Sequence, residues 1–392
     1  MKIYTKTGNV HGYFDFELFS KISKNQTYKL GSIFWHDQHD FTRSGVAFSD
    51  CLYDSAWNHL SNDRTSKILL FYGDEYYNLL DLRLWAETIK NRNIQPAQLY
   101  IVCIDENWAA WTAIECAKLG IDGVNVQHLN LLMERVINQS PKPLTHKFSA
   151  FSRNYLDFRL KFFIELFNKN LLREFNYTFN NIMPYANPPI VYPTNTIKQH
   201  AEKFGYTIDT RLKKWIDKIP YTLEGDDVKD KLSFDIYDKI LQSGINVVIE
   251  SHFDPFWNFK GHTYEDFRQF SPAFPTEKTY KAIGCSRPFI VVSTPEFLKE
   301  FRQMGYKTFS PYIDETYDTI VNDNDRMHAI VNEVNRIAKL PPDEYNLLIA
   351  ECEKIANYNL LVMQKAKDNV ALTNNFDWVN QLVNKKFPMY QK

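Results

Sequence analysis

Cysteine is scarce and unpatterned: five residues in 392, Cys51, Cys103, Cys116, Cys285 and Cys352, odd in number and never spaced C-x-x-C. That excludes a disulfide framework and a cysteine-based zinc site, and predicts buried thiols in a reducing compartment. No apolar run approaches the ~20 residues needed to cross a bilayer, and Met1-Lys2-Ile3-Tyr4-Thr5-Lys6 lacks a signal-peptide core. A cytoplasmic location with no membrane span is the expectation. Charge of one sign is lacking too. With 46 Lys+Arg against 47 Asp+Glu the net charge is −1, so no global field favours a polyanion, and neither half of the chain is a basic block. Also missing are G-x-x-x-x-G-K-S/T, G-x-G-x-x-G after a strand, the G-x-S-x-G elbow and the H-E-x-x-H helix. Kinase, simple dehydrogenase, hydrolase and zincin readings lose their main support.

What is present is ample core. The 44% apolar and 15% aromatic content means a folded protein, and 392 residues exceed what one core usually serves, so two domains are expected. The abundance of Lys, Asn, Ile, Tyr and Phe is a bias of AT-rich genomes and points to a phage, a virus or an AT-rich bacterium; for a phage, the compartment is the host cytoplasm.

Strand and helix patterns alternate along the chain. Lys67–Asp74 (KILLFYGD) and Ala97–Asp105 (AQLYIVCID) read as buried strands, followed by helical patterns over Tyr76–Lys90 and over Asn107–Leu119, the latter ended by Gly120. Gly123–His128 is a third strand, with a helix over Leu131–Asn138. This spacing implies a parallel sheet covered on both faces. Ser140-Pro141-Lys142-Pro143 is a linker, and His146 begins a second set: a strand over 146–153, a helix over Asn154–Asn168, strands at Ile245–Ser251 and Phe289–Ser293, and helices over Glu277–Gly284 and Pro295–Met304. Pro184, Pro188, Pro189 and Pro193 make 184–195 a loop. Beyond Met327 the pattern is wholly helical. The expected divisions are 1–145 and 146–336, both α/β and Rossmann-like, and a helical segment over 337–392.

The richest chemical stretch is Pro275-Thr276-Glu277-Lys278-Thr279-Tyr280-Lys281. Thr276 can cap a helix whose first turn offers free N–H groups and a positive dipole end, a natural place for a diphosphate. Lys278 adds a charge, and Glu277 can accept from ribose hydroxyls. Two further polar clusters fall at strand ends, where ligands gather in parallel sheets. One is Glu250-Ser251-His252; the other is Ser152-Arg153-Asn154 with Arg159, whose guanidinium groups suit phosphate oxygens. Each of these residues, taken alone, is as readily a helix cap or a salt-bridged surface group.

Together, K/R-x-S-R-N-x-x-x-x-R, the V-x-E-S/T-x-F strand end, T-E-K-T-x-K-x-I and P-F-I resemble GT-B-type glycosyltransferases, and in particular a phage and giant-virus group distantly like the α1,3-fucosyltransferases. Gly305–Phe309 and Ile313–Asp318 are similar to that group's G-F-K-T-F and D-E-S-Y-D, with Tyr306 and Thr316 departing from it. The resemblance runs from about Lys147 to Arg336. It implies two Rossmann-like domains facing a cleft, an acceptor side in 1–145, and a nucleotide sugar, UDP-sugar favoured, held by Arg153, Asn154, Arg159, Glu250, Thr276, Glu277, Lys278 and Lys281. With a phage source, the implied acceptor is 5-hydroxymethylcytosine in duplex DNA; a surface glycan or lipid-linked saccharide is the rival, and a non-catalytic protein that keeps the fold is the third possibility.

Transfer needs a base within ~3 Å of the acceptor hydroxyl. Asp74 and Glu75 after one strand and Asp105 after the next are the candidates, with the His36, Asp37, His39 and Asp40 run as a further one. That run also has the residue types of a divalent-metal site, but it lies in an expected loop and lacks further spaced ligands, so no metal is expected. DNA would need a local patch such as Lys90, Arg92, Arg211, Lys213 and Lys214, with Trp35, Trp108 or Trp111 to hold a flipped base.

Overall fold

The computed structural model describes residues 2–4, 32–37, 58, 60–64, 67–72, 79–103, 106–128, 142–183, 190–222, 234–250, 253 and 275–368. The chain divides into two compact units, one over Met1–Arg135 with Arg268–Pro272 and Ala366–Lys392, the other over Val136–Phe267 with Ala273–Lys365. Each is an α/β unit with its own parallel sheet.

In the first unit five strands run in the order β1 (Lys2–Tyr4), β2 (Ser32–Asp37), β3 (Lys67–Tyr72), β4 (Leu99–Cys103), β5 (Asn125–His128), all parallel. The strands expected around 67, 97 and 123 are here; β1 and β2 lie in a stretch that reads as irregular. Helix α1 (Leu79–Asn91) joins β3 to β4 and α2 (Glu106–Lys118) joins β4 to β5. The strand order never reverses, so right-handed crossovers put α1 and α2 on the same face, where they pack together. Gly120 ends α2 in the left-handed region (φ 71°), its N–H on Ala117 O, as the sequence pattern anticipates. The expected helix over Leu131–Asn138 lies outside the described residues.

The second unit has a four-stranded parallel sheet ordered β7 (Phe175–Phe179), β6 (His146–Ser152), β10 (Ser243–Ile249), β11 (Phe289–Val292). A short antiparallel pair, β8 (Ile182–Met183) and β9 (Ile190–Val191), follows β7. Every residue of β10 and β11 is buried, which is why both read as unbroken apolar runs. Helix α3 (Asp157–Asn168) returns β6 to β7. The chain then passes through α4 (Thr194–Lys203), α5 (Thr210–Ile216) and α6 (Phe234–Leu241) to reach β10 on the other side of β6, and α7 (Glu277–Gly284) leads on to β11. Winding in two directions puts helices on both faces. α6 and α7 cover one; α3 covers the other with α9 (Asp323–Ala338), whose Met327, Ile330, Val331, Val334 and Ile337 form a fully buried helical stripe. α8 (Phe297–Gln303) follows β11. Cys116, Cys285 and Cys352 are buried free thiols.

The last described helix, α10 (Pro342–Asp368), belongs to this unit as far as Lys365 and closes the amino-terminal edge of its sheet. Tyr345 donates its hydroxyl to Lys147 O (2.7 Å), and Arg287 pairs with Glu353 (2.5 Å) while also holding Leu241 O (2.7 Å). Gly244, at the start of β10, leaves room for this contact. A Cβ there would fall inside the Tyr345 hydroxyl and press on Ile349 Cδ1 at 3.1 Å. Gly244→Ala should therefore cost about 1–3 kcal/mol by overpacking. Denaturant unfolding checks this, and a variant as stable as the parent refutes it.

Candidate functional site

The sheet of the second unit reverses its winding between β6 and β10: the chain leaves β6 toward β7 and leaves β10 toward β11. Crevices at such reversals, beyond the carboxyl ends of the strands, are where ligands bind in open α/β sheets. β6 ends at Ser152 and β10 at Ile249, so Arg153, Asn154 and Glu250 all fall at this point.

Glu250 is 2% exposed. Its Oε1 accepts from Thr276 N–H (3.1 Å) and the Thr279 hydroxyl (2.5 Å), and its Oε2 takes the Thr276 hydroxyl in a short hydrogen bond. The carboxylate is thus turned onto the start of α7, where Thr276 is the N-cap; its Oγ1 accepts from Lys278 N–H (3.3 Å) and from Lys278 Nζ (3.2 Å). Threonines three apart share one side of a helical turn, so a single buried carboxylate reaches both. Thr279, inside the T-E-K-T stretch, was not singled out from sequence, although its spacing from Thr276 carries the signal.

Arg159 is also 2% exposed. It sits in the first turns of α3 and donates to Asn154 O (3.2 Å) and Glu250 O (3.1 Å), bridging the ends of β6 and β10. The Ser152 hydroxyl donates to the same Asn154 carbonyl (3.0 Å). Among these residues Arg153 is exposed and Lys278 and Lys281 are partly exposed. The structure therefore brings Arg153, Asn154, Arg159, Glu250, Thr276 and Lys278 to one sheet edge, with Arg159 and Glu250 forming its frame. Glu277 begins α7, with its side chain outside the described residues. Asp74, Glu75, Asp105, His39 and Asp40 lie outside them too. His36 and Asp37 end strand β2 rather than lying in the expected loop. Among the described residues there is no cluster of three metal-ligating side chains, and no helix is long and apolar enough to cross a membrane.

The segment Ile313–Asp318 is structural at this level. Asp318 caps α8, accepting from Leu298 N–H (2.9 Å) and Lys299 N–H (3.2 Å). Glu315 accepts from Phe309 N–H (2.6 Å). Burial pushes the Glu315 carboxyl up to about 7, against the downward pull of Thr308, Phe309 N–H and Arg302. A carboxyl raised on folding holds its proton longer in the folded state, so its contribution to stability falls as pH rises from about 4.5 to about 7 and the cost persists above. Glu315→Gln keeps an acceptor for Phe309 and should stabilise the protein at pH 8 by roughly 2–3 kcal/mol, with no gain at pH 4. Equal stabilities at pH 8 would rule this out.

No protein-family profile and no curated protein sequence matches the chain. Solved structures with a similar course of chain include the N-terminal domain of Candida albicans trehalose-6-phosphate phosphatase (11% identity, covering 89% of this chain and 72% of that one, TM-score 0.38). Another is an alpha,alpha-trehalose-phosphate synthase (UDP-forming) from Burkholderia vietnamiensis (11% identity, 89% and 75%, TM-score 0.41). A third is TarM (9% identity, 96% of this chain and 58% of that one, TM-score 0.43).

Proposed function

We propose that the chain is a glycosyltransferase that moves a sugar from a nucleoside diphosphate sugar to a hydroxyl acceptor, with a UDP-sugar as the favoured donor. The observation that carries this reading is the start of α7, braced by Glu250 at the winding reversal with Lys278 beside it. The positive end of a helix dipole and a lysine meet there, which suits a departing diphosphate. Arg153 adds a second cation from the end of β6. Arg159 and Glu250 hold the two strand ends in place, Asn154 lies in the turn from β6 to α3, and Glu277 and Lys281 on α7 complete the donor set. In the reaction the acceptor oxygen bonds to the anomeric carbon as the carbon–oxygen bond to the diphosphate breaks. The acceptor proton passes to a carboxylate, for which Asp74, Glu75 and Asp105 are the candidates. No metal ion is required by this scheme. Titration calorimetry with a panel of nucleotide sugars tests it: one donor should bind, and a protein that binds none is not this enzyme.

For the acceptor we favour 5-hydroxymethylcytosine in duplex DNA, because α5 exposes Arg211, Lys213 and Lys214 beside its buried Leu212, Trp215 and Ile216. Such a row suits a phosphate backbone. Modified duplex should gain the mass of one sugar per site while ordinary cytosine DNA gains none, and activity should fall as salt rises. Elongation of a saccharide acceptor, with no mass added to modified DNA, would replace this acceptor by a glycan or lipid-linked saccharide.

A further inference from the structure

At the carboxyl end of β11 stands a polar side chain that the fold does not use. Strand β10 pairs with β11 from Asn246 opposite Phe289 to Ile249 opposite Val292, and Glu250 N–H donates to Val292 O (3.0 Å), which carries the ladder one step further. Glu250 therefore stands opposite Ser293. Residues opposite each other on neighbouring parallel strands project to the same side of the sheet, their backbones about 5 Å apart. The Glu250 side chain meets Thr276 and Thr279 of α7, so Ser293 projects toward the start of the same helix.

Ser293 is 5% exposed, yet its hydroxyl has no hydrogen-bond partner among the described residues and is not sealed within the protein. Its backbone is fixed, because its carbonyl accepts from Arg326 Nε (3.1 Å). A covered hydroxyl without a partner costs the folded state a desolvation that an alanine would not incur. Such a group calls for an explanation, and a bound ligand supplies one. The polar groups around it are committed: both Glu250 oxygens are taken by Thr276 and Thr279, and Thr276 Oγ1 accepts from Lys278. What Ser293 offers is an O–H donor beside the positive end of α7 and the Lys278 ammonium. A donor, a helix dipole and a cation together favour an anion, and phosphate oxygens, which accept only, would satisfy the hydroxyl.

We propose that Ser293 is a binding residue for the diphosphate, donating its hydroxyl to a phosphate oxygen held at the start of α7. The identity of the ligand rests on the donor-site reading above. Two measurements on the full chain test the role through Ser293→Ala. The first is thermal unfolding without nucleotide: since the hydroxyl bonds nothing in the protein, the variant should melt at the wild-type temperature or above it. The second is calorimetry with inorganic pyrophosphate and with UDP. The variant should lose about 10-fold or more in affinity for both, the worth of a hydrogen bond to a charged group. A melting temperature lowered by more than about 2 °C overturns the proposal, because the hydroxyl then serves the fold. Wild-type affinity of the variant for pyrophosphate overturns it as well: with UDP affinity also unchanged the donor-site reading stands without Ser293, and with UDP affinity alone reduced the hydroxyl serves the nucleoside. A wild type that binds neither probe overturns the donor-site reading itself, and the diphosphate role with it.

Discussion

Arg326→Met should cost the second unit about 3–5 kcal/mol, the loss expected when one member of a buried charged network is removed. Arg326 is 1% exposed and spends its whole guanidinium on the protein. Nε donates to Ser293 O (3.1 Å) after β11; Nη1 donates to Ile320 O (2.8 Å) and Val321 O (2.9 Å); Nη2 donates to Phe253 O and to Asp323 Oδ1, each at 2.5 Å. The group also lies over the Phe253 ring, 4.2 Å from its centroid. A methionine fills similar volume but offers no donor, so buried carbonyls at the carboxyl ends of two strands lose theirs. In a unit of this size the melting temperature should drop by roughly 10 °C. Arg326→Lys should fall between the two, since an ammonium has fewer donors and no planar fork. Because Phe253 and Ser293 follow β10 and β11, nucleotide affinity should weaken alongside stability. A loss below about 1 kcal/mol in Arg326→Met would show that the network contributes little net stability.

The strands were legible where the sequence carries an apolar run, as in KILLFY, LYIVC and INVVI, the last within a strand buried at every residue. β7 was not. Its sequence FNYTF sits at the sheet edge with Asn176 and Tyr177 only partly buried, and nothing in five mixed residues separates such a strand from a loop. The helices α4 and α5 were missed for a related reason: they bury only one narrow side, Ile197 and Ala201 in α4 and Leu212, Trp215 and Ile216 in α5, amid charged residues. In the site, residue types were legible and pairings were not. Glu250 and Thr276 stand 26 positions apart, and only the return through α7 shows that one serves the other. Arg159 has the charge of a phosphate ligand, yet its position inside α3 directs it to the carbonyls of Asn154 and Glu250. Ser293 gave no signal of its own, because only the register of β10 on β11 sets it opposite Glu250.

Lys278→Ala and Arg153→Ala should each weaken binding of the nucleoside diphosphate by about 10- to 100-fold, the range for one charge-assisted hydrogen bond to a phosphate. Neither side chain is part of the core: Arg153 is exposed and Lys278 partly so, which leaves stability within about 0.5 kcal/mol of the wild type. That separates them from Arg159→Met, where the carbonyls of Asn154 and Glu250 lose a buried donor, and from Glu250→Gln, where one acceptor oxygen remains but an NH2 group replaces the other, so that the donors of Thr276 and Thr279 are no longer all served and stability falls with affinity. If both cations touch the same diphosphate, the double variant should lose less than the sum of the two single losses or more, but not that sum, because neighbours on one ligand couple. Turnover should fall further than ground-state affinity, since the leaving diphosphate carries more charge in the transition state than in the bound donor. Glu277→Ala should spare the diphosphate term and act on the nucleoside, so its loss should vanish when inorganic pyrophosphate replaces UDP as the probe. Calorimetry and initial-rate measurements on these variants decide the matter: wild-type affinity and turnover in both Lys278→Ala and Arg153→Ala would remove the diphosphate from the start of α7.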